Sequence, residues 1–214
     1  MKSSWWTRGV MLVALACAFI QAQAVTDAAF EPAFQLFTRA LAGDDAAIDP
    51  AADAFGKLHA AEPTNPVLMA YDGAATTMKA KNALMPWKKM GYAEDGLALI
   101  DKALAMLAPA HDAPLARGTP GSLEVRFVAA NTFLAVPDFM NRGARGATLL
   151  SDVIASPLFG RAPLGFRGQV WLRAATLATQ QKHPDVARRY LEQVVASGAP
   201  QADRARALLK GLSA

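Results

Sequence analysis

A short pattern occurs four times along this chain of 214 residues and constrains its fold more than any other feature. A small residue is followed by a larger apolar residue four positions later, by another small or apolar residue three positions after that, and then by a proline. The first three positions lie on one face of a helix, and the proline ends that helix because it lacks an N–H group. The four instances are Ala51–Phe55–Leu58–Pro63, Gly96–Ile100–Ala103–Pro109, Gly146–Leu150–Val153–Pro157 and Ala187–Leu191–Val194–Pro200. Such repetition predicts an array of helices in which neighbouring units bury the core together.

Apolar residues recur at three- and four-residue spacing along most of the chain, whereas the alternating runs that are typical of strands do not occur. This periodicity predicts nine helices, over residues 28–41, 48–61, 66–81, 92–107, 122–134, 144–155, 166–181, 184–196 and 202–212. The first eight pair as four hairpins, and the ninth has the polar side that the end of a solenoid requires. We therefore predict an all-α fold, a short α-solenoid of about four helical hairpins with a C-terminal capping helix.

The repeated units resemble tetratricopeptide repeats. In that family the first helix has a Trp-like position with a small residue four later, as Trp171 and Ala175 have here. The second helix has a small residue, a large apolar residue and a smaller one at the spacing of Ala187, Leu191 and Val194. The chain is also similar, between residues 70 and 142, to uncharacterised secreted bacterial helical-repeat proteins. The resemblance implies stacked helical hairpins with a concave surface for a partner.

The spacing of the repeats departs from that family. Successive patterns start 45, 50 and 41 residues apart, whereas the family repeat is about 34 residues long. We expect the additional residues to lie mainly in loops. One of these is the stretch Asn82–Gly91 between the two helices of the second unit.

The N-terminal 24 residues have the features of a secretory signal peptide. Lys2 and Arg8 precede an apolar run of 11 residues over 10–20, and Ala22-Gln23-Ala24 supplies the small residues of a cleavage site. This predicts residues 1–24 as a signal peptide and 25–214 as a single helical-repeat domain in the periplasm. Two alternatives stay open: a membrane anchor, for which the run is short, and a lipoprotein anchored at Cys17.

Composition limits the chemistry of the exported chain. Cys17 is the only cysteine, so after cleavage no disulfide, thiolate nucleophile or cysteine metal ligand is possible. Without Lys2 and Arg8, 20 basic residues stand against 18 acidic ones, which gives little reason to expect a nucleic-acid partner. A membrane contact is expected only through a partner or through a lipid on Cys17.

No pattern for catalysis or cofactor binding is present. The nucleophile elbow G-x-S-x-G, the P-loop and G-x-G-x-x-G do not occur. His59, His111 and His183 are scattered and lack the spacing of a metal site. Asp44, Asp45 and Asp49 suit helix N-termini better than a calcium loop. We therefore predict a protein with no catalytic residues, no metal and no cofactor.

The segment from Met78 to Tyr92 is the strongest candidate for a binding surface, because it is basic, aromatic and rich in methionine, with no acidic residue. Its candidate residues are Lys79, Lys81, Trp87, Lys88, Lys89 and Tyr92. Pro86-Trp87 is expected to break the hairpin and form a recognition loop. The alternative is that Trp87 and the methionines pack over the end of the hairpin while the lysines face water.

Two further residues join this candidate surface. Tyr71 is expected on the inner face of the third helix together with Lys79, eight residues further on. Arg126 lies in a helix that is apolar on most sides, so it should either pair with a carboxylate such as Asp101 or receive an anionic ligand.

The predicted function is that of an exported periplasmic interaction module, a scaffold or adaptor of a bacterial envelope system, which binds a protein or peptide partner without catalysis. The alternative is a periplasmic carrier of a small anionic ligand near Lys79, Lys88 and Arg126. An envelope enzyme with an unrecognised site is a third hypothesis. A scaffold should have an open groove, whereas a carrier should have a closed pocket.

Overall fold

A computed structural model describes residues 28–212 of the chain, and this part is helical throughout, with an isolated bridge between Pro114 and Pro120 but no strand. The predicted signal peptide, including Cys17, lies outside the described residues. The helices are α1 (28–41), α2 (Ile48–Ala61), α3 (Pro66–Asn82), α4 (Pro86–Ala105), α5 (Gly121–Phe133), α6 (Gly143–Ala155), α7 (Leu164–Gln180), α8 (Pro184–Ala196) and α9 (Ala202–Leu212).

Helices that follow one another in the chain pack as neighbouring pairs. The most extensive contacts join α3 with α4, α7 with α8, α2 with α3, and α5 with α6, and α9 packs on α8. Contacts of α3 with α5 link the second hairpin to the third. The predicted all-α fold of stacked helical hairpins is therefore confirmed, with α9 covering the last hairpin.

The four-position pattern marks the buried faces of α2, α4, α6 and α8. Every one of its first three positions is buried except Leu58, which is partly buried. In α4 and α6 the small residue is a glycine that lies against the other helix of its hairpin. A Cβ atom added to Gly96 would lie 2.4 Å from the carbonyl oxygen of Gly73, and one added to Gly146 would lie 3.0 Å from Cβ of Phe133. The small residue of the repeated pattern therefore marks a position at which two helices cross.

The start of α4 differs from the prediction. We expected a loop over residues 82–91 and a helix from Tyr92, but α4 begins at Pro86 and only residues 83–85 connect it to α3. Pro86 occupies the first helical position, where its missing N–H group costs nothing. Met85 before it is extended, with φ −89° and ψ 129°, as a residue that precedes proline prefers. The expected recognition loop is therefore the first part of a helix.

Aromatic side chains form the core at the N-terminal end of the array. Tyr71 of α3 stacks on Phe55 of α2 with ring centres 4.8 Å apart. Phe30 and Phe37 of α1 meet the Tyr71 ring edge to face at 5.3 and 5.1 Å. Such pairs add about 0.5–1.5 kcal/mol each beyond the burial of their area. They hold α1 against the hairpins that follow it.

Candidate functional site

The connection between α3 and α4 exposes apolar side chains. Leu84 is 91% exposed and Trp87 is 68% exposed, and every residue from 84 to 90 is exposed. The alternative that Trp87 packs over the end of the hairpin is therefore wrong. We use the name hairpin tip for Leu84, Met85, Trp87, Lys88 and Lys89.

Two of the predicted binding lysines are held by carboxylates, one in the first turn of α2 and one in the turn just before it. Lys79 Nζ lies 3.8 Å from Asp49 Oδ1 and 5.1 Å from the ring centre of Tyr92. Lys81 Nζ lies 2.5 Å from Asp45 Oδ1. These contacts tie the C-terminal end of α3 to α2. Lys79, Lys81 and Tyr92 therefore have structural partners within the fold.

Lys88 and Lys89 differ from these two lysines. Both are exposed on the first turn of α4, and neither forms an ion pair with another residue of the described part of the chain. Their two positive charges are therefore uncompensated locally. The sequence placed six candidate residues in this segment, and the structure leaves Trp87, Lys88 and Lys89 free to contact another molecule.

An open groove runs along α4 from Met90 toward Asp101. Its volume is about 410 Å³. One wall is the face of α4, and the other is the segment that precedes α6. The lining residues are Met90, Glu94, Leu97, Ala98, Asp101, Phe139, Met140 and Arg142. Phe139 is 65% exposed and Met90 is 38% exposed. We call this feature the α4 groove.

Two arginines share one carboxylate at the far end of the α4 groove. Arg142 Nη2 lies 2.9 Å from Asp101 Oδ2, and Arg145 Nη1 lies 2.5 Å from Asp101 Oδ1. Both guanidinium groups also lie over the ring of Phe133, at 5.3 and 5.2 Å from its centre. Two cations on one anion leave an excess of one positive charge there. Glu94 supplies a negative charge nearer the middle of the groove.

Arg126 does not pair with Asp101, which was one of the two outcomes expected for it. Asp101 pairs instead with Arg142 and Arg145. Arg126 is partly buried and forms no ion pair within residues 28–212. A partly buried guanidinium can keep its charge in water while its methylene groups pack on the helix.

Tyr71 lies inside the protein and not on the binding surface where we expected it. Its hydroxyl donates a hydrogen bond of 2.8 Å to Glu124 Oε1, and the guanidinium of Arg117 pairs with the same oxygen. Arg117 also lies 3.8 Å from the ring centre of Phe30. Glu124 is buried, so its charge depends on these two partners. The triad of Tyr71, Arg117 and Glu124 joins α3 to α5, and its arginine contacts α1 through Phe30.

A tight turn before α5 presents Arg117 to the triad. The N–H of Leu115 donates to Thr119 O at 2.9 Å, and the N–H of Gly118 donates to Leu115 O at 2.7 Å. Gly118 has φ +78°, which residues with a side chain rarely adopt. This is a three-residue hairpin loop with glycine in the left-handed position. Arg117 stands at its apex beside the glycine.

The buried environment changes the titration of Tyr71. Burial raises the pKa of Tyr71 well above its ordinary value of 10.0, and the charge of Glu124 raises it further, while Arg117 opposes both effects. The folded protein thus holds a proton that the unfolded chain releases above pH 10.0. The associated stability is fully present below that pH and is lost as pH rises through it toward the folded pKa.

We expect Tyr71→Phe to remove this alkaline dependence. Above pH 10.0, wild-type stability should fall by up to about 1.4 kcal/mol per pH unit more steeply than that of the variant. Urea unfolding of both proteins on either side of that pH measures the difference. Parallel stability curves for the two proteins would contradict the pKa shift.

The histidines form no metal site with other residues of the described chain. His59 Nδ1 lies 2.7 Å from Asp72 Oδ2 across α2 and α3, and His111 Nδ1 accepts a hydrogen bond from the N–H of Ala108. His183 caps the start of α8 without a side-chain hydrogen bond. Within residues 28–212, no group of three or more His, Cys, Asp or Glu side chains is placed to hold a metal ion.

Comparison with known protein families, with curated proteins and with solved structures finds no match to this chain. A search of helices α1 to α9 finds none with both the length and the apolar character that crossing a bilayer demands. The site must therefore be interpreted from its own geometry.

Proposed function

We propose that the chain is an exported interaction module that binds a segment of a partner protein in the α4 groove, without catalysis. The observation that carries the proposal is the exposure of Phe139 and Met90 on the two sides of one open groove. Aromatic and methionine side chains are enriched at protein interfaces, because they supply a large and adaptable contact area. The groove is open, as expected for a scaffold, whereas a carrier of a small ligand is expected to have a closed pocket.

The charges at one end of the α4 groove support a partner segment that carries a negative charge. The excess positive charge of Arg142 and Arg145 lies at one end, beyond the apolar walls. An apolar segment that carries a carboxylate, from an acidic side chain or a chain terminus, would complement this arrangement. Phe139 would then be the anchor that loses most water on binding.

The alternative of a small-anion carrier has weaker support. Its three cations lie on three different helices, with Lys79 on α3, Lys88 on α4 and Arg126 on α5. Asp49 already compensates the charge of Lys79. None of these three residues lines the α4 groove, the open cavity in which we place the partner.

Affinity capture from envelope extracts tests the proposal. Phe139→Ser should weaken capture of the bound partner about thirtyfold, the effect typical of a hot-spot side chain. Leu208→Ser is the matched control, because Leu208 is 42% exposed on the distant helix α9. It should leave capture at the wild-type level. Thermal unfolding of both variants shows that each remains folded.

The result that would contradict the proposal is equally specific. Equal capture by wild type, Phe139→Ser and Arg142→Ala would exclude the α4 groove as the docking site. Capture of only a second copy of this chain would indicate self-association and would also contradict an adaptor role.

A further inference from the structure

The hairpin tip exposes apolar side chains that binding in the α4 groove does not account for. Leu84 and Met85 extend from the connection between α3 and α4, and Trp87 follows on the first turn of α4. Their exposed fractions are 91%, 46% and 68%. Three large apolar side chains exposed within four residues of the chain are costly in water, and the rest of residues 28–212 covers them only in part.

The charges around the hairpin tip are of one sign. No acidic residue lies between Met78 and Tyr92; Asp72 precedes this segment, and Glu94 follows it, five positions after Lys89. The two acids brought close by the fold, Asp45 and Asp49, are compensated by Lys81 and Lys79. Lys88 and Lys89 therefore add two uncompensated positive charges directly beside the exposed apolar side chains.

We propose that the hairpin tip docks on an anionic lipid surface. Leu84 and Met85 enter the apolar edge of the lipid layer, and Trp87 lies at the level of the headgroups, where indole rings are favoured. Lys88 and Lys89 contact the anionic headgroups. The occupant is a lipid surface because the apolar side chains form a protruding point flanked by cations, whereas a partner protein would be expected to bind the concave groove beside it. The proposal is independent of the partner proposed for the α4 groove.

Vesicle co-sedimentation tests this docking with the chain from Val25 onward, which contains α1 to α9 in full and lacks the apolar N-terminal run. The probes are vesicles of phosphatidylcholine alone and of equimolar phosphatidylcholine and phosphatidylglycerol. Wild type should bind the anionic vesicles and bind the neutral ones much more weakly. Changing both Lys88 and Lys89 to Ala should weaken binding about thirtyfold, since each lysine near an anionic surface contributes a factor of about five.

A double substitution tests the apolar part of the proposed contact with lipid. Changing both Leu84 and Trp87 to Ser should weaken binding by about tenfold or more, because transfer of one such side chain from water is worth a factor of about ten. Leu41→Ser is the control, since Leu41 is 61% exposed at the end of α1, and it should bind as wild type does. Circular dichroism confirms that each variant is folded.

Tryptophan fluorescence is a second measurement, and it tests whether Trp87 itself enters the lipid layer. In a Trp171→Phe background, Trp87 is the only tryptophan after residue 24, and its emission should shift to shorter wavelength on binding anionic vesicles. Absence of wild-type binding, equal binding to both vesicle types, or tip variants that bind as wild type would each overturn the proposal.

Discussion

Glu124→Ala is expected to lower the free energy of unfolding by about 3 kcal/mol or more. Removing one partner of a buried ion pair typically costs about 3–5 kcal/mol, because the remaining charge stays buried without compensation. Here the change removes the acceptor of both the Tyr71 hydroxyl and the Arg117 guanidinium. We expect the lower end of that range, because the Arg117 side chain is 31% exposed and can turn toward water. Urea unfolding measures the loss.

Two controls separate the triad from general effects of substitution. Glu124→Gln keeps the shape and an acceptor for Tyr71, so it should cost less than Glu124→Ala. Glu192→Ala removes an exposed carboxylate of α8 and should change stability by no more than about 0.5 kcal/mol. A Glu124→Ala protein that matches Glu192→Ala in stability would show that the triad contributes little.

Gly96→Ala is expected to destabilise the protein by about 1–3 kcal/mol, although alanine is the better helix former. The added Cβ would lie 2.2 Å from Thr77 Oγ1, 2.4 Å from the carbonyl oxygen of Gly73 and 2.7 Å from the amide nitrogen of Thr77. Two of these atoms belong to the backbone of α3 and cannot rotate away. The helices must therefore move apart, which weakens the packing around Ile100.

Gly91→Ala provides the matched control on the same helix. A Cβ at Gly91 meets nothing within 4 Å, so only the helix propensity changes. This variant should gain up to about 1 kcal/mol. Changes of opposite sign in the free energy of unfolding for the two substitutions would support the close crossing of α3 and α4 at Gly96. A stabilised Gly96→Ala protein would contradict it.

The fold was predictable because helix periodicity and helix crossings both leave local signals. Apolar spacing predicted helices at the correct places, and the bounds of α2, α8 and α9 match. The small residues of the repeat marked crossings such as Gly96 on Gly73. The predicted start of α4 was wrong because a proline can either end one helix or be the first residue of the next. The residues around Pro86 do not distinguish these two roles.

The candidate site was only partly predictable. The basic, aromatic composition of residues 78–92 predicted a binding surface at the α3–α4 hairpin; Trp87 is exposed there, and binding by this segment stays a prediction. Phe139 and Arg142 were missed as groove residues because their proximity to α4 depends on the packing of α5 and α6. Glu124 was missed as the partner of Tyr71, because the hydrogen bond between them spans 53 residues of sequence. No local pattern encodes such a pairing.

Site-specific crosslinking in cells tests the proposed docking surface most directly. Ala98 is exposed and lines the α4 groove, whereas Ala207 is exposed on α9 away from it. A photoreactive benzoylphenylalanine at each position reports what lies against that surface. We predict that position 98 crosslinks to a distinct envelope protein, that position 207 does not, and that adding Phe139→Ser removes the product. No crosslinked protein at position 98, or the same product at both positions, would contradict the assignment of the α4 groove as the partner site.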